Sequence, residues 1–206
     1  MKKKKKVILF GGTFDPIHLG HTKVSVSATE HIGADKTIFI PARRSPLKSN
    51  QPHASARDRF RMIALAIKGQ DVLEVSDFEL KKPAPSYTIE TIRHFRRLFG
   101  EQTELYWLAG ADALRDLASW YKAERIMDEC NVAIMHRAGS KMPDFAAFEA
   151  VWGSWRAEKL RRNAVPTPLV DVSSSRIRRA VAAGRDITGM VHPAVAEYIQ
   201  RRGLYR

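Results

Sequence analysis

The feature that most constrains this chain is Val7-Ile8-Leu9-Phe10 running into Gly11-Gly12-Thr13-Phe14-Asp15-Pro16-Ile17-His18-Leu19-Gly20-His21. A short, continuously apolar run that stops at Gly-Gly reads as a strand of a parallel sheet, since both faces of such a strand are covered. Without a Cβ, Gly11 and Gly12 let the backbone turn tightly and bring N–H groups up to an anion, while Pro16 fixes the loop before a helix starting near Leu19. His18 and His21 flank that start, where unsatisfied N–H donors and the positive end of the helix dipole favour negative charge. The segment is therefore expected to bind a di- or triphosphate. Two other readings are a histidine pair in a surface loop and two ligands of a metal site. Helical metal ligands usually stand four apart with a carboxylate nearby, whereas these stand three apart with Gly20 between them.

Along the rest of the chain, short apolar runs alternate with amphipathic stretches, the pattern of crossover units in a parallel sheet with helices on both faces. Strands are expected near 7–10, 36–41, 72–75, 104–109, 131–135 and 168–171. Helices are expected near 19–32, 56–68, 87–98, 112–118, 122–129, 144–161, 174–183 and 193–202. The fold class is α/β, and the 206 residues suit one domain, 1–206, with 1–6 as a disordered basic N-terminus. In open α/β sheets ligands sit beyond the carboxyl ends of the strands, where the strand order reverses.

The formal net charge of +13 admits a nucleic-acid surface or an enzyme acting on polyanions. Lys2 to Lys6 account for part of the excess, and Arg93, Arg96, Arg97, Arg156, Lys159, Arg161 and Arg162 are expected on solvated helix faces. No zinc-finger spacing, aromatic RNA-binding strand or basic heptad helix accompanies them, so no specific nucleic-acid partner is expected, only weak salt-sensitive binding through charge. No apolar run approaches the ~20 residues that span a bilayer, and no membrane association is expected. The apolar stretch after the lysines stops at Phe10, too early for a cleaved signal. Cys130 is the only cysteine, which excludes an intramolecular disulfide and fits a cytoplasmic protein.

Val172-Ser173-Ser174-Ser175-Arg176-Ile177-Arg178 lies where the last strand should meet a helix. Its serines can cap that helix and donate to phosphate oxygens, and Arg178 can reach back one turn over the same anion site. An ordinary capped basic helix would look the same. Ser86 or Thr88 reads as a helix cap and Thr88 as a donor to an acidic group. Asp112 ends a strand, where a carboxylate can hold a ribose hydroxyl or cap a helix. Trp120 presents an indole suited to stacking on a pyridine ring, or a core residue.

Gly-Gly-Thr-Phe-Asp-Pro-Ile-His-Leu-Gly-His resembles the His-x-Gly-His signature of the nucleotidyltransferases, and in this long form it is similar to that of the bacterial nicotinate-nucleotide adenylyltransferases. Val172 to Arg178 resembles the same superfamily's Ile-Ser-Ser-Thr-x-Ile-Arg. Pro85-Ser86-Tyr87-Thr88, Trp120-Tyr121, His136-Arg137 and the closing Gly203-Leu204-Tyr205 extend the likeness over almost the whole chain. Arg43-Arg44-Ser45-Pro46-Leu47-Lys48 departs from the family's Pro-His-Lys loop, with Leu47 in the histidine position.

The resemblance implies a Rossmann-like nucleotidyltransferase fold and adenylyl transfer from ATP to nicotinate mononucleotide. It implies Gly12, Thr13, Phe14, His18, His21, Ser174, Ser175 and Arg178 as ATP-phosphate residues. His18, His21 and Lys48 would be the residues that stabilise the transfer. Thr88, Asp112, Trp120, Tyr121 and Arg137 would hold the mononucleotide. Mg²⁺ would be bound through the ATP phosphates, without a protein metal site, and a homo-oligomer remains open. Phosphopantetheine adenylyltransferase is the alternative within the superfamily, disfavoured by the Ser-Tyr-Thr and Trp-Tyr segments. A nucleotide sensor without turnover is the alternative outside catalysis, disfavoured because both histidines and Arg178 are present.

Overall fold

The structure is a computed structural model. It describes residues 4–46, 50–111, 116–137 and 144–206, with the backbone alone at 136 and 137. Six strands form one sheet: β1 (Lys6–Gly12), β2 (Lys36–Pro41), β3 (Leu73–Val75), β4 (Glu104–Gly110), β5 (Asn131–Arg137) and β6 (Ala164–Thr167). Their order is β3-β2-β1-β4-β5-β6, and every adjacent pair is parallel. The chain steps outward from β1 on one side, then returns to β4 on the other. Connections leaving β1 and β4 therefore part in opposite directions, opening a crevice at their carboxyl ends.

The helices are α1 (Leu19–Ile32), α2 (Ala56–Ala66), α3 (Phe78–Lys81), α4 (Thr88–Phe99), α5 (Ala123–Glu129), α6 (Phe145–Trp152), α7 (Ser154–Arg162), α8 (Ser174–Ala182) and α9 (Pro193–Arg202). Alternate strand residues point to opposite faces. Ile8, Phe10, Phe39 and Leu108 pack with Met62 and Ile63 of α2, Ile177 of α8, and Val195 and Ile199 of α9. Val7, Leu9, Ile38, Ile40 and Trp107 pack with Ile89, Ile92 and Phe95 of α4, Ile126 of α5 and Leu160 of α7. Burial on both faces explains the unbroken apolar runs. Each fully buried aliphatic side chain contributes roughly 1.5–3 kcal/mol.

The last strand is not 168–171 but Ala164–Thr167. Val165 is fully buried against β5 while Leu169 is largely exposed, so the hydrophobic signal of Leu169-Val170 misplaces it. Pro166 obscures the true strand, yet β6 is the sheet edge, where a missing N–H is tolerated. The expected 144–161 helix breaks in two at Gly153, whose φ of 82° suits glycine and ends α6. α3 is a single turn, too short to show a period. β1 also reaches back to Lys6, whose N–H donates to Asp35 Oδ2 (2.7 Å) and whose ammonium meets the Ile32 carbonyl (3.0 Å). That residue lies inside the segment expected to be disordered.

Several basic residues expected on solvated faces instead clip helices together. Arg93 pairs bidentately with Glu129 (2.6 and 2.8 Å), Arg156 meets Asp128 (3.0 and 3.1 Å), and Lys159 Nζ donates to the Met127 carbonyl (2.7 Å). Their charge is spent on holding α4 and α7 to the end of α5. Among the described residues, no helix is long and apolar enough to cross a membrane.

Candidate active site

Gly11 and Gly12 end β1, and their role differs from the one expected. Neither has a positive φ; the left-handed residue of the loop is Phe14, at 49°. A Cβ on Gly11 would lie 2.3 Å from the Trp107 ring, and one on Gly12 would lie 2.9 Å from the Phe14 ring. The glycines make room for two rings. Phe14 itself is buried against Phe10 (5.4 Å) and Phe39 (5.4 Å), with His21 edge-on at 5.0 Å.

The start of α1 is more fully satisfied than a phosphate-binding helix end needs to be. Leu19 N–H donates to the Met190 carbonyl (2.9 Å), and His18 N–H donates to His21 Nδ1 (3.2 Å). These two backbone donors are therefore engaged within the protein. With Nδ1 accepting, the neutral His21 ring carries its proton on Nε2, an N–H donor. The His18 ring stacks on His21 with centroids 3.6 Å apart and planes 23° off parallel. Burial lowers the His18 pKa to about 4, which keeps the ring neutral near pH 7. Its Nδ1 is buried with no hydrogen-bond partner among the described residues. Gly20 is explained here: a Cβ would stand 2.9 Å from His18 Nδ1.

One cavity of about 620 Å³ is lined by Gly12, Thr13, Phe14, Asp15, His21 and Ser45, by 50–53, and by Ser174, Ser175 and Arg178. It gathers every residue expected at the ATP phosphates except His18, which supports His21 from behind. α8 is capped by Ser173, whose Oγ accepts from Arg176 N–H (3.2 Å). Ser174 Oγ donates to the Pro16 carbonyl (2.8 Å). Arg178 reaches back as expected: Nη2 meets Ser175 Oγ (3.3 Å), and Nη1 donates to the Asp15 carbonyl (2.7 Å). The Asp15 carboxylate accepts from His53 N–H (2.7 Å), Ala54 N–H (3.0 Å) and the Tyr205 hydroxyl (2.8 Å). Beneath the loop, the buried Arg59 donates to the Thr13 carbonyl (2.8 Å).

A second cavity, about 550 Å³, lies beyond β1 and β4. Its lining includes Gly11, Gly12, Thr13, Ser45, Glu79, Ser86, Tyr87, Thr88, Trp107, Gly110, Trp120 and Tyr121. Thr88 opens α4, but the cap residue is Tyr87 and no side chain caps the helix. Of the two expected caps, Thr88 is the first residue of the helix and Ser86 is engaged elsewhere: its Oγ accepts from Arg43 N–H (3.1 Å). An uncapped helix end facing a cavity favours an anionic group. Trp120 is half-buried against the core with Nε1 unpartnered among the described residues, so it serves packing and lining together. Tyr121 stands against Tyr87 at 4.6 Å.

The sequence reading missed Glu79, Asp15, Arg59 and Tyr205. Glu79 is 4% exposed and accepts from Thr91 Oγ1 (2.6 Å), and burial pushes its carboxyl above the usual range. A lone glutamate in Phe-Glu-Leu-Lys-Lys carries no sign of burial. Lys48 and Asp112 lie outside the described residues, as do Leu47 and the side chain of Arg137.

The cytidylyltransferase-like family model matches residues 9–180. A protein described as a "probable nicotinate-nucleotide adenylyltransferase" from Clostridium tetani is 37% identical over 98% of this chain and all of its own length. A protein of the same description from Thermus thermophilus is 38% identical over 98% of this chain and all of its own. The fold matches that of Plasmodium falciparum nicotinic acid mononucleotide adenylyltransferase, solved in complex with NaAD, with a TM-score of 0.75 at 20% identity over 98% of this chain and 97% of that one. Near-complete coverage at this identity, with His21 and Arg178 on one cavity, settles the family: the chain belongs to the cytidylyltransferase-like proteins and, among them, to the nicotinate-nucleotide adenylyltransferases.

Proposed function

We propose that the protein transfers the adenylyl group of ATP to nicotinate mononucleotide, forming deamido-NAD and pyrophosphate. The observation that carries this reading is that the two cavities share Gly12, Thr13 and Ser45. A polyphosphate in one and a mononucleotide in the other would bring their phosphates together at the end of β1. A 5′-phosphate oxygen of the mononucleotide attacks the α-phosphorus, and the bond to the β-phosphate oxygen breaks. The nucleophile is already an oxyanion, so no general base is needed; alignment and neutralisation of charge are the work of the site.

His21 Nε2–H and the Gly12–Phe14 backbone would stabilise charge developing on the α-phosphoryl group. Ser175 and Arg178 would hold the departing β- and γ-phosphates, with Ser174 fixing the loop below them. Lys48 is assigned to the same phosphates as a point charge, Asp112 to a ribose hydroxyl and Arg137 to a nucleotide phosphate, each by its place in the family motif. Asp15 already carries three donors, so a Mg²⁺ ion would be held by phosphate oxygens rather than by this carboxylate. Bound that way, it would neutralise phosphate charge. A cytoplasmic location is part of the same proposal, and membership of this family supports it.

At the mononucleotide, Trp120 would stack on the pyridine ring with Tyr121 beside it. Thr88 and the uncapped start of α4 would receive the nicotinate carboxylate. Such donors favour a carboxylate over a carboxamide, which gains less from the dipole and brings donors of its own. The test is pyrophosphate release from ATP with nicotinate mononucleotide, nicotinamide mononucleotide and phosphopantetheine side by side. kcat/KM should be highest for the nicotinate substrate, by at least about tenfold over the amide. Equal efficiencies on acid and amide would show that the pocket does not read the carboxylate, and turnover of phosphopantetheine alone would overturn the assignment.

A further inference from the structure

The C-terminal turn reaches Asp15, on the wall of the first cavity, through the Tyr205 side chain. α9 ends at Gly203 (φ 60°), and Leu204 N–H returns to the Ile199 carbonyl (3.1 Å), so the chain folds back toward the sheet. Tyr205 then takes a left-handed backbone (φ 65°), a conformation uncommon for a bulky residue and one that signals a constraint imposed by its surroundings. Its hydroxyl donates to Asp15 Oδ1 at 2.8 Å, across 190 residues. Burial, then the Asp15 charge, pushes the phenol well above its ordinary range, so the hydroxyl remains a donor at any working pH.

Asp15 connects the walls of the polyphosphate cavity. Its carboxylate holds the N–H groups of His53 (2.7 Å) and Ala54 (3.0 Å), and with them the 50–53 rim. Its carbonyl holds Arg178 Nη1 (2.7 Å). A rotation of this residue would shift rim and arginine together. Tyr205 lines neither cavity, yet it is the side-chain donor that fixes Asp15 Oδ1.

We infer that Tyr205 is a positioning residue for the ATP polyphosphate, acting through Asp15 to orient both the 50–53 rim and Arg178. This deepens, and rests on, the adenylyltransferase reading. The bond lost in Tyr205→Phe is one hydrogen bond to a charged acceptor, which corresponds to about tenfold in affinity. The ATP KM should rise by about that factor, while the KM for nicotinate mononucleotide stays within about twofold.

Because the residue acts through Asp15, Asp15→Asn should raise the ATP KM in the wild-type background and have a much smaller effect in the Tyr205→Phe background. Calorimetric titration with inorganic pyrophosphate, in the absence of the second substrate, should show the same loss of affinity. An unchanged ATP KM and pyrophosphate affinity, or additive effects in the cycle, would overturn the proposal. Should Tyr205→Phe melt early, the pyrophosphate titration well below the melting midpoint decides the matter on folded protein. A wild-type protein that binds pyrophosphate but makes no deamido-NAD would refute the activity and leave the positioning role to be judged by the titration.

Discussion

Replacing Gly20 with alanine separates helix stability from the geometry of the histidine pair. Alanine is favoured over glycine inside a helix by about 1 kcal/mol, less in the first turn, so on propensity alone the variant should be slightly stabilised. The new Cβ, however, would stand 2.9 Å from His18 Nδ1 and 3.0 Å from Cε1. Reaching ordinary contact at 3.4 Å requires the ring to retreat by about 0.5 Å. The His18 ring cannot retreat without disturbing its 3.6 Å stack on His21, the ring that also accepts from the His18 backbone N–H at 3.2 Å. A misplacement of about 1 Å at a reacting centre costs on the order of 10²-fold, so half of that predicts a loss of about tenfold in kcat.

His21→Ala removes the donor outright and sets the ceiling, on the order of 10²–10³. The assay is continuous pyrophosphate release at saturating ATP and nicotinate mononucleotide, paired with a thermal melt of the free protein. The expected outcome is a melting midpoint within a few degrees of wild type, since 1 kcal/mol shifts a domain of this size by about 2–4 °C, together with the tenfold fall in kcat. A folded Gly20→Ala protein with wild-type kcat would refute the idea that the stack places the His21 proton.

Trp120→Ala should raise the KM for nicotinate mononucleotide by the equivalent of about 1–3 kcal/mol of ring stacking, with Trp120→Phe restoring most of it. A lowered melting temperature with unchanged KM would assign Trp120 to packing alone. Acid should destabilise the fold through His18. Its folded pKa of about 4 lies below the ordinary imidazole value of 6.5, so between these values the unfolded chain binds the extra proton and stability falls as pH falls. The full effect is on the order of 3 kcal/mol, visible as a denaturation midpoint that drops from pH 7 to pH 4.5. His18→Gln should flatten that slope, and a wild-type slope in the variant would show that other groups carry it.

What could be read in advance was what is local. Val7 to Phe10 announces a strand because its four apolar residues are contiguous, and His18, Gly20 and His21 announce a helix start because their spacing is a property of one turn. Arg178 sits three residues past Ser175, so its reach was a matter of helical geometry, and the structure places it where that geometry requires. The expectation failed where the decisive neighbour is remote. Gly11 and Gly12 were expected to serve a tight turn toward an anion, yet they are set by the bulk of Trp107 and Phe14. β6 was hidden by Pro166, acceptable only because tertiary structure puts that strand at an edge.

The buried charges show the division most clearly. Asp15 takes its donors from residues 38, 39 and 190 positions away, and Glu79 takes one from Thr91 on another helix. On its own each reads as a surface carboxylate. The α/β pattern, the glycine-histidine loop and the chemistry of its donors were legible in the residues alone, because hydrogen-bond periodicity and residue type are short-range properties. Long-range packing set which of the two stacked histidines faces the cavity, that two cavities meet at Gly12, Thr13 and Ser45, and that the last turn of the chain reaches Asp15. Burial and desolvation depend on what packs from far along the chain.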